Sequence, residues 1–121
     1  MTPDFILEVI FFKTFSGSEP VKEWLKKLSP TDKKIVGSDI RTLQIAWPLG
    51  MPLVRKIATK LWEIRSIIAS GIVRIFFTII GNTLFLLHAF TKKTQKTPLN
   101  ELTIAKERLK QLQRSRHEQY H

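Results

Sequence analysis

The sequence predicts an α+β fold in which a mostly antiparallel sheet packs against helices. Residues 18–47 combine proline-led helix starts with apolar side chains at helical spacing, whereas residues 53–90 are dense in β-branched and aromatic side chains and contain short turn signals. At 121 residues the chain is long enough for one domain with its own core and too short for two. We therefore expect a single domain, 1–121, with the element order β-α-α-β-β-β-β-α.

The first three elements are predicted from their boundary residues. Residues 5–12 are short and rich in Phe and Ile, which indicates a strand. Ser18 is the expected cap of a first helix with Pro20 at its start, because proline needs no amide partner there. Ser29 and Pro30 begin a second helix in the same way. Its apolar face should be Val36, Ile40, Leu43 and Trp47.

Four strands are expected next, at residues 53–58, 61–67, 72–80 and 83–90. Gly81-Asn82 is typical of a two-residue hairpin turn, because both residues tolerate positive φ. The two strands of this hairpin are apolar on both faces, which we interpret as central strands covered on one side by helices. A membrane span over residues 72–90 is the alternative, but Arg74, the turn and His88 would all lie unfavourably in hydrocarbon.

A last helix is predicted to have Thr97 as its cap and Pro98 at its first position. Apolar residues recur along it at helical spacing, and its buried side should be Leu102, Ala105, Leu109 and Leu112. The chain is polar after Gln113, so we expect residues 114–121 to form a frayed tail.

The net charge of +10 is concentrated in one part of the chain. Glu63 is the only acid between residues 51 and 97, so this stretch carries +7 of the total. Its eight basic residues are Arg55, Lys56, Lys60, Arg65, Arg74, Lys92, Lys93 and Lys96. Such a concentration favours a nucleic acid, an acidic protein or an anionic membrane surface as partner, with a plain solvated surface as the alternative.

Several classes of site are disfavoured by composition and spacing. The chain has no cysteine, which excludes disulfides and thiolate metal sites and fits a reducing cytosol. The only histidines are His88, His117 and His121, and no pair has the spacing of metal ligands, so neither a metal nor a cofactor is expected. The N-terminal residues lack a basic segment and include Asp4 and Glu8, so we expect no secretory signal.

The candidate functional groups that remain are cationic side chains, and such groups suit RNA cleavage without a metal. The 2′-hydroxyl of RNA can attack the adjacent phosphate if a protein removes its proton, stabilises the anionic phosphorane and protonates the leaving oxygen. Arg65 and Arg74 should lie close together, because one is near the end of a strand and the other near the start of the next. Five candidate catalytic residues result: Arg65, Arg74, His88, Lys92 and Lys93.

Each candidate also has a structural interpretation. Arg74 could pair with Glu63, and His88 could be a hydrogen-bonded histidine of the core. Lys92, Lys93 and Lys96 could form a solvated loop or the docking point of an acidic partner.

The runs LWEIR, VRIFF and LLHAFTKKTQKTP, followed by a helix with IAKERL, resemble the HigB-like branch of the RelE/ParE toxin superfamily. The resemblance covers nearly the whole chain and implies a RelE-like fold. It also implies a cytoplasmic toxin of a type II toxin–antitoxin pair, an mRNA endonuclease (mRNA interferase) that acts on messages in the ribosomal A site. The implied partner is a HigA-like helix-turn-helix antitoxin, with operator DNA bound only by the pair.

The motifs of that superfamily place functional residues at Arg65, Arg74, His88, Lys92 and Lys93. We expect RNA or ribosome contacts from the basic residues around them: Arg55, Lys56, Lys60, Lys92, Lys93 and Lys96. Some relatives use a C-terminal His or Tyr near the site, which here would be Tyr120 or His121. The alternatives are a ParE-like inhibitor of DNA gyrase that cuts no RNA, and an inactive nucleic-acid-binding module.

Overall fold

The computed structural model describes residues 6–92 and 97–119, with side chains described up to residue 116 in the last helix. Within these residues the elements follow the predicted order β-α-α-β-β-β-β-α. They are β1 (Glu8–Phe11), α1 (Pro20–Lys26), α2 (Pro30–Ala46), β2 (Val54–Ala58), β3 (Leu61–Ile68), β4 (Gly71–Ile80), β5 (Thr83–Lys92) and α3 (Leu99–Gln119).

The five strands form one mostly antiparallel sheet, as predicted, in the order β1-β5-β4-β3-β2. β1 pairs in parallel with β5, and the other neighbours are antiparallel. The apolar stretch that could have been a membrane span is divided between β4 and β5, which are joined at Gly81-Asn82 with Gly81 at φ +59°. In the described part of the chain, no helix combines the length and apolarity that a membrane crossing requires.

Helices cover both faces of the sheet, so the expectation of helices on one side only is wrong. On one face, Val21 of α1 and Val36 and Leu43 of α2 join a core cluster with alternate side chains of β3, β4 and β5. On the other face, Ala105 and Leu109 of α3 join a second cluster. Burial on both sides explains why β4 and β5 are almost continuously apolar.

A bulge in β5 determines which side chains face α3. Phe76 pairs with His88 and Phe77 pairs with Leu86, so Leu87 is an extra residue on β5. Leu87 packs in the α3-side cluster, and the ring of His88 stacks on that of Phe76 on the same side. The bulge therefore turns two consecutive side chains towards α3.

Two predicted helix boundaries differ from the structure. The N-cap of α1 is Glu19, because the Ser18 hydroxyl is instead 2.8 Å from that of Thr14 in the preceding turn. α3 begins at Leu99, and the carbonyl of Pro98 accepts its first hydrogen bond, from Leu102 at 3.1 Å.

α3 also continues to Gln119, past the point where a frayed tail was expected. The guanidinium of Arg116 lies 5.5 Å from the centroid of the Phe85 ring, a cation–π contact that holds this part of the helix on the sheet.

The start of α2 is confirmed. Ser29 is its N-cap, its hydroxyl accepts a hydrogen bond from the amide of Asp32 at 3.1 Å, and Pro30 follows. Replacing Ser29 by alanine is expected to lower the free energy of unfolding by about 1 kcal/mol, because that amide loses its acceptor. Ser38→Ala is the matched control on the same helix, since Ser38 is exposed and alanine is the better helix former. Urea denaturation measures both, and equal midpoints would contradict the capping role.

Candidate functional site

Four charged side chains meet on the α3 side of the sheet, and we call them the arginine cluster: Arg55, Glu63, Arg65 and Arg74. The register of three strands brings them together. Arg55 of β2 lies opposite Glu63 of β3, and Arg65 of β3 lies opposite Arg74 of β4. The predicted proximity of Arg65 and Arg74 is therefore confirmed.

The carboxylate of Glu63 is the centre of the arginine cluster. Its Oε1 lies 3.4 Å from Nη1 of Arg74, 3.7 Å from Nη2 of Arg55 and 3.8 Å from Nε of Arg65. Its Oε2 accepts a hydrogen bond from the Thr97 hydroxyl at 3.4 Å, and that hydroxyl in turn accepts one from Nη2 of Arg55 at 2.8 Å. Thr97 thus joins the cluster to the chain just before α3.

Burial decreases from the floor of the cluster to its rim. Glu63 and Arg74 are fully buried, whereas the side chains of Arg65 and Arg55 are 9% and 33% exposed. Burial lowers the pKa of Arg74, and the nearby charge of Glu63 opposes that shift. Arginine nevertheless stays protonated in proteins, so three positive charges surround one negative charge. Arg55 is therefore the member most open to an anion from solvent, and Arg65 adds a small exposed surface beside it.

His88 is held by α3 rather than by the arginine cluster. Its Nε2 lies 2.6 Å from Oε2 of Glu101, and its Nδ1 lies 3.2 Å from Nη1 of Arg108. Nη1 of Arg108 also donates to the carbonyl of Leu87 at 2.8 Å. Because Arg108 can only donate, Nδ1 is the acceptor, and the proton of the neutral ring lies on Nε2 facing Glu101.

Burial also affects the protonation of His88. It lowers the pKa of the imidazole, the Arg108 charge lowers it further, and the hydrogen bond and charge of Glu101 oppose the shift. Burial is the largest of these effects, so the ring is neutral at pH 7.

An aromatic residue separates His88 from the arginine cluster. Phe76 lies opposite both Glu63 and His88 on neighbouring strands, so these two residues are about 10 Å apart across the sheet. Phe90 pairs with Arg74 in the adjacent row, and its ring stacks on that of His88 with centroids 6.0 Å apart. The structure therefore brings the predicted arginines together and places the histidine beside them, in a separate network.

The predicted lysines lie in different places. Lys92 pairs with Ile72 at the end of β5 and, by strand alternation, shares the face of Arg74. Lys56 is exposed and pairs with Trp62, whose ring packs on the opposite face, and Lys60 is exposed in the β2–β3 turn. Neither belongs to the cluster. Lys93, Lys96, Tyr120 and His121 lie outside the described residues, as does the side chain of His117.

Sequence reasoning missed three participants: Thr97 as a bridge, and Glu101 and Arg108 as partners of His88. Glu101 and Arg108 are seven residues apart, which places them on one face of α3. The spacing of Glu101 and Arg108 can be read from the sequence. The strand residue that they contact cannot, because it depends on the bulge in β5. In the residues that the structure describes, no group of three or more His, Cys, Asp or Glu side chains could hold a metal ion.

Residues 23–110 match the family model of the Gp49-like phage-derived proteins (DUF891). The chain belongs to this family. The Gp49-like family is part of the RelE/HigB-like toxin superfamily, which agrees with the resemblance in the sequence at that coarser level. The matched stretch contains the whole arginine cluster together with His88, Glu101 and Arg108. No curated protein matches the chain.

Replacing Glu63 by glutamine is expected to destabilise the fold by about 3–5 kcal/mol, because it leaves three guanidinium groups without their buried counter-charge. Glu107→Gln is the control, since Glu107 is an exposed acid of α3, and its effect should stay within about 0.5 kcal/mol. Guanidinium chloride unfolding measures both. A loss at Glu63 no larger than that of the control would show that the carboxylate does not hold the cluster.

His88 should titrate below the ordinary histidine pKa of about 6.5. Since its pKa in the folded protein is lowered, the unfolded chain binds more protons in the window just below pH 6.5. The contribution of His88 to stability is therefore complete above that pH and decreases as the pH falls through the window. The imidazole carbon signals in NMR spectra give the pKa directly, and His88→Gln should lessen the pH dependence of unfolding there. A midpoint above 6.5 would mean that Glu101 outweighs burial.

Proposed function

We propose that this chain is the toxin of a type II toxin–antitoxin pair and that it cleaves mRNA on the ribosome without a metal. The arginine cluster carries the proposal, because it holds three cations and one anion at a partly accessible position. A phosphate of the RNA backbone would add a second negative charge at the exposed rim of the cluster. Membership in the Gp49-like family supports the toxin assignment.

The arginines would act on the phosphate at two depths. Arg65 and Arg55 are the members with exposed surface, so they are the ones that would contact the scissile phosphate. Arg74 is fully buried, and its part would be to hold Glu63 and add positive potential from below. Attack of the 2′-hydroxyl increases the negative charge on the phosphorane, so fixed guanidinium groups would stabilise the transition state more than the substrate.

The sequence left proton transfer to His88 or to a loop lysine, and the contacts favour the lysines. Both ring nitrogens of His88 already have partners on α3, so proton transfer there would require breaking one of these hydrogen bonds. Lys92 lies on the same face of the sheet as Arg74. It pairs with Ile72, which is two residues before Arg74 on β4. We assign proton transfer to Lys92 or Lys93 and give His88 the task of fixing α3 against the sheet.

The basic residues around the cluster would bind the RNA and the ribosome. Arg55 belongs to the cluster and Lys92 shares its face of the sheet, and Lys93 and Lys96 follow Lys92 in the sequence. Lys56 and Lys60 would reach other parts of the ribosome. Such a protein would act in the cytoplasm, and a HigA-like antitoxin would neutralise it and carry the pair to its operator DNA. A RelE-like fold is the architecture that this proposal assumes.

Arg65→Gln is expected to lower the rate of mRNA cleavage about 10²–10³-fold, on the scale of removing one oxyanion donor. Lys34→Gln removes the same charge from an exposed position of α2, on the other side of the sheet, and should leave the rate unchanged. The assay maps mRNA 5′ ends in a translating extract, with thermal melts to confirm that each variant is folded. Arg65→Lys should recover only part of the activity, because lysine keeps the charge and loses the planar fork.

Three other outcomes have distinct meanings. Absence of codon-phased cuts together with blocked DNA supercoiling would replace the proposal with the ParE-like gyrase inhibitor. Absence of both activities with RNA binding retained would indicate an inactive binding module. A folded His88→Gln variant that loses cleavage while its substrate affinity is unchanged would return the proton-transfer role to His88.

A further inference from the structure

A groove of about 280 Å³ lies between α1 and α2, on the side of the sheet opposite the arginine cluster. Its apolar lining comes from Phe11 of β1, Leu25 of α1, and Val36 and Ile40 of α2. The two helices leave this strip uncovered in the part of the chain that the structure describes. The groove is open to solvent, so it suits the side chains of another protein better than a small molecule.

Gly37 keeps the groove open. It lies in the middle of α2, where glycine is the poorest helix former except proline. Its φ is not positive, so other residues can adopt the same backbone conformation. A Cβ placed at Gly37 would have no atom within 4 Å. Neither the backbone nor the packing of this chain therefore requires a glycine at this position. What the glycine does provide is depth in the groove wall.

Lysines border the groove on both sides. Lys22 and Lys26 are four residues apart on α1 and so point to the same side, and Lys33 stands across the groove on α2. All three are exposed, and the lining contains no acidic residue. Nζ of Lys22 also lies 3.9 Å from Oε1 of Glu19. A partner that fills the apolar strip therefore meets positive charge chiefly from Lys26 on one edge and from Lys33 on the other.

We propose that this groove binds an amphipathic, acidic helix of a partner protein. Apolar side chains at positions i, i+3 or i+4, and i+7 of that helix would enter the strip beside Gly37, and Asp or Glu on both flanks would meet the lysines. A second copy of this chain is a poor occupant, because its net charge of +10 would repel the same edges. The inference needs only the groove and its charges; an antitoxin is one protein that would supply such a helix.

The test is a selection of displayed 18-residue helical peptides on the full-length protein, with Gly37→Leu as the parallel target. Leucine is a better helix former than glycine and points into open space, so this variant should unfold at the same or a higher temperature. Ser38→Leu is the control, because it adds the same side chain to the exposed side of α2.

Peptides enriched on the wild-type protein should carry an apolar stripe flanked by acids. Fluorescence anisotropy with one of them should show at least a tenfold loss of affinity for Gly37→Leu and none for Ser38→Leu. Lys26→Glu should weaken binding, whereas Lys106→Glu, an equal charge change on the exposed side of α3, should not. The readout involves no RNA, so failure of the cleavage proposal would leave it intact.

Three results would overturn the inference. The first is equal enrichment on wild type and Gly37→Leu, or enrichment of peptides without acids or without an apolar stripe. The second is a wild-type dimer in sedimentation velocity that Gly37→Leu converts to a monomer, which would make a second copy the occupant. The third is binding of the wild type, but not of Gly37→Leu, to phosphatidylglycerol vesicles, with no helical peptide selected.

Discussion

The buried carboxylate of Glu63 is the interaction on which both the sheet and the site depend. It lies among guanidinium groups from three strands, so it ties β2, β3 and β4 together at one point. A shift of one residue in the register of any of these strands would turn its charged residue to the opposite face. The opposite face is packed with apolar side chains, where a charge would have no partner. The positions of the cations and the register of the sheet are therefore fixed together.

α3 completes this face of the sheet and connects its two polar networks. Just before the helix, Thr97 contacts both Glu63 and Arg55, and further along Glu101 and Arg108 bind His88. The remainder of its inner side is apolar and packs on the strands. The start of α3 thus lies beside the arginine cluster, and the following turns of the helix cover His88. The other face of the sheet carries α1 and α2, with the lysine-edged groove as its separate feature.

The strands were predictable because β-branched and aromatic residues dominate them and because Gly81-Asn82 marks the turn between the last two. The proximity of Arg65 and Arg74 followed, since neighbouring antiparallel strands place such residues opposite each other. The position of α3 on the second face was not predictable, because an amphipathic helix does not indicate which side of a doubly apolar sheet it covers. The environment of His88 depended on the Leu87 bulge, which has no sequence signal of its own. The prediction of Ser18 as a helix cap was wrong because its hydroxyl hydrogen-bonds to the hydroxyl of Thr14 in the same turn.

The charge balance of the arginine cluster is the physical basis for the proposal that it binds an anion. A buried pair of opposite charges is at best a weak source of stability, and apolar side chains of similar volume often do as well or better. A carboxylate surrounded by three cations is less favourable still, because the guanidinium groups repel one another: the charges of Arg65 and Arg55 both lower the pKa of Arg74. In the proposed function, an RNA phosphate that reaches Arg65 and Arg55 from solvent would offset that repulsion, because it has the charge and the oxygen atoms to do so.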